Sequence, residues 1–374
     1  MRFKTYLRTL AAIVTALVAL KVGLSVVIDP YDAFGAVGFV QRNFEPNTRI
    51  AKIRFLSERC GDFDSYVLGT SRVNYYNVAD ASKSLGGRFY NFNVSAETMG
   101  GVRAKLEWLA ANCTVDRVLI GLDFDWFHSD EFHGGDLLRR EHPAANGSGF
   151  REFAGVKAPK LFEYIRVFAP YLNIPVKTLR RAVRAQFRGP LRFRVDLATG
   201  HALLFENGAP ANQMRDRVVP DAAIPRVCFA PAPLDARKYQ VNRDILAEIA
   251  RLARANAIEA IFVVNPINEN VAATFEAPAY AVFLRDAVRI TGGIWYFGGF
   301  NVFTEDEARY VDASHFGRPT GAEVLRIIGG GAVAPAGLGF FGTADAERLY
   351  NLALANYAAR GSACTASQTA PTAP

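Results

Sequence analysis

The chain has 374 residues, half of which are hydrophobic, and carries a formal net charge of +7. This length and apolar content exclude a chain too short or too polar to bury a core, and they allow one large domain or two small ones. The N-terminal segment described next predicts export from the cytoplasm, so the positive charge is not expected to serve nucleic-acid binding.

The N-terminus predicts insertion into a membrane. Residues 9–28 are almost entirely apolar and long enough to cross a hydrocarbon layer. Arg2, Lys4 and Arg8 precede this segment, so the positive-inside rule keeps the N-terminus in the cytoplasm and exports the chain after Asp29. A cleaved signal peptide is the alternative, although no convincing small-x-small cleavage site is evident. We therefore expect an uncleaved, single-pass anchor in the inner membrane with a periplasmic C-terminal domain.

Four cysteines in an exported chain indicate disulfide bonding. Cys60 lies shortly before a predicted first strand, and Cys113 lies just before another. If those strands are neighbours, both thiols meet at the same edge of the sheet, so we predict a Cys60–Cys113 bridge. Cys228 and Cys364 could pair or stay free.

Residues 177–194 are rich in lysine and arginine and contain no acidic residue. Val176, Leu179, Val183 and Phe187 recur there at helical spacing, which predicts an amphipathic basic helix. Its charged face could simply be solvated, or it could contact anionic lipid headgroups or an acidic polysaccharide.

From residue 64 onwards, strand and helix patterns alternate, which predicts an α/β fold with a mostly parallel sheet covered by helices on both faces. The predicted strands are 65–69, 89–94, 115–124, 258–264 and 294–297, and the predicted helices are 101–111, 237–256, 279–291 and 318–328. The expected organisation is an anchor at 1–28, an entry segment at 29–63, the α/β domain at 64–360 with an irregular or helical insertion at 128–235, and a disordered tail at 361–374.

A serine lies just beyond the carboxyl end of the first predicted strand. Gly69 permits a tight turn, and Ser71 follows where a helix could begin. In open α/β sheets, ligands bind and catalytic residues lie at the carboxyl ends of the strands. Asp312 and His315 come after the last predicted strand and could supply a general base and the carboxylate that orients it.

The spacing Asp-x-x-His occurs three times, so spacing alone cannot select the base. The other two pairs lie together, Asp125 with His128 and Asp130 with His133. This cluster could bind a metal ion, although it lacks the i,i+4 histidine pair of a helical zinc site. Position favours His315. Only the Asp312/His315 pair directly precedes the last predicted helix, from where its histidine can lie close to the end of the first strand.

Four segments resemble, in order, the four sequence blocks of the SGNH/GDSL hydrolase superfamily. They are Gly69-Thr-Ser-Arg72, Tyr90-Asn-Phe-Asn-Val-Ser95, Gly121-Leu-Asp-Phe124 and the Asp312/His315 pair. The N-terminal anchor and the Gly-x-Ser-Arg form resemble the cell-envelope branch, which includes proteins of lipoteichoic-acid D-alanylation and of periplasmic alginate O-acetylation. The resemblance implies a flavodoxin-like three-layer sandwich.

The resemblance also implies site roles. Ser71 would be the nucleophile, His315 its general base and Asp312 the acid that orients the base. The Ser71 amide and donors from the second and third blocks would bind the oxyanion.

The middle two blocks depart from the superfamily pattern. Where glycine is usual the second block offers Asn93 or Ala96, and where an oxyanion-hole asparagine is usual the third block has Asp123. An ionised carboxylate cannot donate a hydrogen bond and would repel an oxyanion. Asp123 could be protonated, it could pair with Arg72, or Asn93 could supply the donor; we predict an Arg72–Asp123 pair that braces the serine loop.

The resemblance implies an anchored enzyme that adds or removes ester-linked acyl groups on an envelope or exported glycan, without a cofactor or metal. Its partners would be the membrane, the glycan or acyl-donor substrate and a membrane-bound acyltransferase. Two alternatives remain open. One is a non-catalytic glycan-binding or assembly component that kept the fold, and the other is a metal-dependent hydrolase using the cluster at 123–133.

Overall fold

The computed structural model describes residues 2–35, 45–132, 136–146, 158–187, 193–206, 209–210 and 234–360. The strands are β1 (Ser65–Leu68), β2 (Phe89–Asn91), β3 (Arg117–Leu122), β4 (Phe193–Asp196), β5 (His201–Glu206), β6 (Ala209–Pro210), β7 (Glu259–Val264), β8 (Gly293–Tyr296) and β9 (Gly339–Gly342). The helices are α1 (Arg2–Ile28), α2 (Thr48–Arg59), α3 (Val78–Leu85), α4 (Met99–Asn112), α5 (Ala158–Leu172), α6 (Val176–Phe187), α7 (Ala236–Ala255), α8 (Glu269–Ala272), α9 (Ala277–Thr291), α10 (Arg318–Ile328) and α11 (Ala346–Arg360).

The chain divides into two compact units, which we name the anchor unit and the sheet unit. The anchor unit comprises residues 1–58, 134–197 and 202–209, and the sheet unit comprises residues 59–133, 198–201 and 210–374. Most of the predicted insertion therefore belongs to the same unit as the N-terminal helix.

The sheet unit is built on a six-stranded sheet in the order β2-β1-β3-β7-β8-β9. Its first five strands run parallel, and β9 pairs antiparallel with β8 at one edge. This confirms the predicted α/β class with a mostly parallel sheet. The order of the first five strands is that of flavodoxin-like sheets. The chain adds β2 on one side of β1 and then β3, β7 and β8 on the other, so the strand order reverses between β1 and β3.

Helices cover both faces of this sheet because its strands are apolar on both sides. Val67, Leu119 and Val263 point to one face and pack in a core with residues of α3 and α10. Their chain neighbours Tyr66 and Val118 are fully buried and point to the opposite face, since side chains alternate along a strand. Helices α4, α7, α9 and α11 contact one another in series.

The sequence predictions are close for the long elements and wrong for the irregular ones. Helix α10 has the predicted bounds, whereas β2 ends at Asn91 and β3 at Leu122, both short of the prediction. The entry segment is not irregular throughout, because α2 lies within it, and the sequence analysis also missed α3, β9 and α11. The predicted tail at 361–374 lies outside the described residues.

The anchor unit packs around aromatic and aliphatic side chains from separate stretches of chain. Tyr171 and Leu179 share a core with Ile50, and the buried Asn47 amide donates hydrogen bonds to Tyr171 Oη and to the carbonyl of Leu137. Strands β4, β5 and β6 form a separate small sheet in that order. Within its described residues, the predicted insertion thus contains helices α5 and α6 and strands β4, β5 and β6.

The predicted basic helix is shorter than expected. Helix α6 ends at Phe187, and Arg194 lies in β4 instead. Arg188 and Arg192 lie outside the described residues. The first half of the basic stretch is helical as predicted, with Lys177 and Arg180 exposed on α6.

The predicted disulfide is confirmed. Cys60 and Cys113 are bonded, with their Cα atoms 5.3 Å apart, and β1 and β3 are neighbours as the prediction required. Cys228 and Cys364 lie outside the described residues.

Replacing both Cys60 and Cys113 by serine is expected to lower the free energy of unfolding by about 2–4 kcal/mol. The bridge closes a loop of 53 residues, and opening it gives the unfolded chain more conformational freedom. Urea titration of the full chain measures the loss. Paired replacement of Cys228 and Cys364 by serine is the control, because it removes the same number of cysteines and leaves the Cys60–Cys113 bridge intact. An unfolding curve for the Cys60/Cys113 variant equal to that of the native chain would contradict a stabilising role.

Candidate active site

The serine turn begins directly at the exit of β1. Ser71 is the first residue of a single 3-10 turn, Ser71–Tyr75, and Thr70 caps that turn by accepting a hydrogen bond from the Arg72 N–H. Gly69 has φ of +147°, and a Cβ there would press on the side chain of Val73. Glycine at this position therefore lets the chain turn sharply enough to present the serine above the sheet.

A second tight turn carries the histidine. Tyr310 and Phe316 form an antiparallel bridge, and within the turn Asp312 Oδ1 accepts hydrogen bonds from the backbone N–H groups of Ser314 (2.8 Å) and His315 (2.9 Å). Aspartate commonly closes such turns through its own side chain. The same carboxylate lies 2.9 Å from His315 Nδ1, so the Asp-x-x-His spacing fixes the backbone and the imidazole together.

A hydrogen bond between Ser71 and His315 joins the two turns. Ser71 Oγ lies 2.8 Å from His315 Nε2, although the residues are 244 positions apart. A carboxylate can only accept, so Nδ1 carries the proton and Nε2 is left to accept from the serine hydroxyl. The ring of Tyr75 packs 5.8 Å from the imidazole. The arrangement can deprotonate a hydroxyl as it attacks an electrophile.

Asp312 is ionised at neutral pH. Burial would raise the pKa of its carboxyl, but the hydrogen bond and charge of His315, with the two backbone N–H groups, outweigh burial and hold the pKa below its usual value. The charge that would stabilise a protonated imidazole is therefore in place.

Arg72 connects three loops of the site. Its Nη1 lies 3.1 Å from Asp123 Oδ1, its Nη2 lies 2.8 Å from Asp125 Oδ2, and its Nε donates to the carbonyl of Ser314. The predicted Arg72–Asp123 pair is thus confirmed, and the same guanidinium also reaches the histidine turn. Although burial opposes the charged form, the two carboxylates raise the pKa of Arg72.

Asp123, the first partner of Arg72, is almost fully buried. Besides Arg72, it accepts hydrogen bonds from Thr70 Oγ1 at 2.5 Å and from Asn265 Nδ2 at 3.2 Å. The Oδ1 of Asn265 in turn accepts from Tyr76 Oη. These donors require an acceptor at position 123, so the carboxylate supports the serine turn and contributes no donor of its own.

Replacing Arg72 by alanine is expected to lower the free energy of unfolding by about 3–5 kcal/mol, because it leaves the Asp123 carboxylate buried without its cation. Urea titration measures the change. Arg88→Ala is the matched control: Arg88 pairs with Asp64 at 3.0 Å, but its side chain is 62% exposed, so its loss should cost less than about 1 kcal/mol. An equal loss of unfolding free energy in the two variants would contradict a stabilising role for the Arg72–Asp123 pair.

The second predicted block flanks the serine turn. The N–H of Val94 donates to the Gly69 carbonyl, and the Asn93 N–H donates to Asn91 Oδ1, so Asn93 lies beside the turn and is buried. Ala96 has φ of +47°, a left-handed conformation that favours glycine. The backbone at position 96 therefore has a glycine-like conformation.

The alternative metal cluster is not assembled in the part of the chain that the structure describes. No three His, Cys, Asp or Glu side chains within these ranges come together as possible ligands. Asp125 is paired with Arg72, and Asp130 lies 3.0 Å from Lys238 Nζ. His128 packs edge-on against Phe124, and His133 lies outside the described residues.

The sequence analysis missed Asn265, Asp125 and Thr70 as parts of the site. Asn265 directly follows the buried run of β7, so the rule that led to Ser71, a polar residue at the exit of a parallel strand, could have found it. Asp125 was considered only as a metal ligand.

Comparison of the chain with protein-family models, curated proteins and solved structures finds no match. Any reaction assigned to this site must therefore be inferred from the geometry of the site itself.

Proposed function

We propose that this chain is a membrane-anchored, extracytoplasmic serine esterase or O-acyltransferase of SGNH type, acting on acyl esters of an envelope or exported polysaccharide. The observation that carries the proposal is the Ser71 Oγ–His315 Nε2 contact of 2.8 Å, with Asp312 2.9 Å from Nδ1. The flavodoxin-like strand order and a serine after the first strand further support the SGNH resemblance.

In the proposed reaction, Ser71 Oγ attacks the ester carbonyl while His315 Nε2 takes the hydroxyl proton. When the tetrahedral intermediate collapses, the bond to the leaving oxygen breaks, and the imidazolium returns the proton to that oxygen. An acyl-serine remains. Water or a sugar hydroxyl then attacks the acyl carbonyl while His315 takes its proton. The bond to Ser71 Oγ breaks, and the imidazolium returns the proton to that oxygen, which regenerates Ser71. Asp312 holds the imidazole and stabilises its charged form.

The oxyanion would be bound by the Ser71 amide and by Asn93, with Ala96 in the place where the superfamily usually has glycine. Asp123 cannot donate, and losing one such donor costs about a hundredfold or more in rate. Such a site predicts slow hydrolysis of general esters. Transfer to a sugar hydroxyl uses the same oxyanion site, so the acceptor that reaches the acyl-serine decides between the two reactions. A membrane-bound acyltransferase that delivers acyl groups across the bilayer fits as a partner.

Anchorage is proposed from α1. The segment Phe3–Ile28 is long enough to span a membrane, and an 18-residue stretch within it has a mean hydropathy of 2.4. Arg2, Lys4 and Arg8, at the start of α1, favour a cytoplasmic N-terminus, and the Cys60–Cys113 bond fits the oxidising periplasm.

The test uses the full chain in detergent or lipid nanodiscs. With an O-acetylated polysaccharide we expect released acetate, and with an acyl donor plus unmodified polysaccharide we expect new sugar esters, both lost in Ser71→Ala. A folded protein that catalyses neither reaction and does not react with a fluorophosphonate, yet still binds the polysaccharide, would favour the non-catalytic component.

A further inference from the structure

A groove of about 560 Å³ lies within the anchor unit, between α1 and α6. This volume is in the range of pockets that hold organic ligands. On α1 it is lined by Leu17, Leu20, Lys21, Leu24 and Ile28. Leu17, Leu20, Leu24 and Ile28 are three or four residues apart and form one stripe along the helix, with Lys21 beside it.

The facing wall comes from α6. Val176, Leu179 and Val183 supply aliphatic surface, and Arg180 and Arg184 lie among them on the same wall. With Lys21 from α1, the described lining holds three basic side chains and no acidic one. The groove therefore combines an apolar interior with a cationic margin.

The α1 wall has the depth of one lipid leaflet. Positions 17 to 28 of a helix span about 16 Å, roughly half of the 30 Å hydrocarbon thickness of a bilayer. With the N-terminus in the cytoplasm, this half lies toward the periplasmic side. Lys21 sits within it, and its Nζ donates to Asn173 Oδ1 at 2.5 Å. On the proposed anchorage, a groove at this depth would face lipid chains, and the positive charges of Arg180 and Arg184 complement the negative charge of a lipid phosphate.

We propose that the groove binds one anionic phospholipid, with an acyl chain against Leu20, Leu24 and Val183 and the headgroup phosphate on Arg180 and Arg184. The inference rests on the proposed membrane anchorage and not on the chemistry of Ser71. The basic stretch at 177–194 then has a ligand. The guanidinium groups of Arg180 and Arg184 bind the phosphate, while the aliphatic residues of α6 between them contact the lipid tail.

The test is native mass spectrometry of the full chain released from nanodiscs made of equal parts phosphatidylglycerol and phosphatidylcholine. We expect one retained phosphatidylglycerol. Because each basic side chain near an anionic surface contributes roughly a fivefold preference, Arg180→Glu with Arg184→Glu should weaken retention by about thirtyfold or more. Lys177→Glu with Arg181→Glu is the matched control, since it makes the same charge change on α6 outside the groove lining and should weaken retention less.

A second pair of variants tests the apolar interior. Val183→Trp fills the groove and should abolish retention of either lipid, whereas Ile165→Trp, at a position 53% exposed on α5, should leave retention unchanged. Equal retention of the two lipids by the native chain, or equal effects of the two charge-reversal pairs, would overturn the headgroup assignment. A cross-link from a photoreactive residue at Leu24 to a polypeptide would overturn lipid as the occupant.

Two further readouts separate this inference from the proposed function. A chain that stays in the membrane fraction but retains no lipid overturns the groove and leaves the anchor standing, whereas a chain that is released by carbonate washing overturns the anchor. Fluorophosphonate labelling of Ser71 in the same preparations reports on the catalytic proposal independently.

Discussion

Ser71→Ala is expected to lower kcat for ester cleavage and for acyl transfer by at least about ten-thousandfold, because it removes the atom that forms the acyl-enzyme. The hydroxyl is 2.8 Å from His315 Nε2, so the variant also leaves the base without a proton to accept. Steady-state release of acetate from an acetylated polysaccharide measures the loss, and mass spectrometry of fluorophosphonate-treated protein locates the labelled serine.

Ser84→Ala on α3 is the control for this variant, since it removes a hydroxyl from the same unit at a distance from the two turns. It should keep full activity and labelling. Persistent labelling of the Ser71→Ala protein, or equal activity in both variants, would show that another residue is the nucleophile.

Asp312→Asn is expected to lower kcat by about ten-thousandfold while leaving the fold intact. An asparagine amide can donate to Nδ1, which favours the tautomer whose proton sits on Nε2; that nitrogen can then no longer accept from Ser71. In the native chain, burial pushes the pKa of Asp312 upward, but the interaction with His315 prevails and lowers it, so the carboxylate remains charged well into the acidic range. The rate of fluorophosphonate labelling should fall in parallel with kcat.

Asp130→Asn is the matched control, because Asp130 also belongs to an Asp-x-x-His pair. Its carboxylate is 77% exposed and pairs with Lys238 away from the two turns, so activity should be unchanged. If Asp130→Asn lost activity and Asp312→Asn kept it, the catalytic residues would lie in the cluster at 123–133, and the metal-dependent alternative would be favoured.

The main features of the sheet unit could be predicted because they depend on local patterns. Buried parallel strands are short apolar runs, and the bond between Cys60 and Cys113 follows once β1 and β3 are neighbours. Position in the chain was enough to choose His315 over the other two Asp-x-x-His histidines. The Arg72–Asp123 pair was predicted because the resemblance places a carboxylate where an asparagine is usual, and a nearby arginine can compensate its charge.

Other features depend on contacts that periodicity does not encode. Helix α5 contains Pro170, and β9 is the short run Gly339–Gly342, so neither gave a clear pattern. The role of Asp123 as an acceptor for Thr70 and Asn265 became evident only when three distant segments met. Sequence spacing shows which residues can approach one another, but it does not show which donors an acceptor will serve.

The long interval between Ser71 and His315 has a consequence for biogenesis. On the proposed mechanism, the serine leaves the translocation channel 244 positions ahead of its base, so a partly exported chain carries an ordinary, unreactive hydroxyl. Latency of this kind needs no pro-segment. It ends only when the C-terminal helices have folded on the trans side of the membrane.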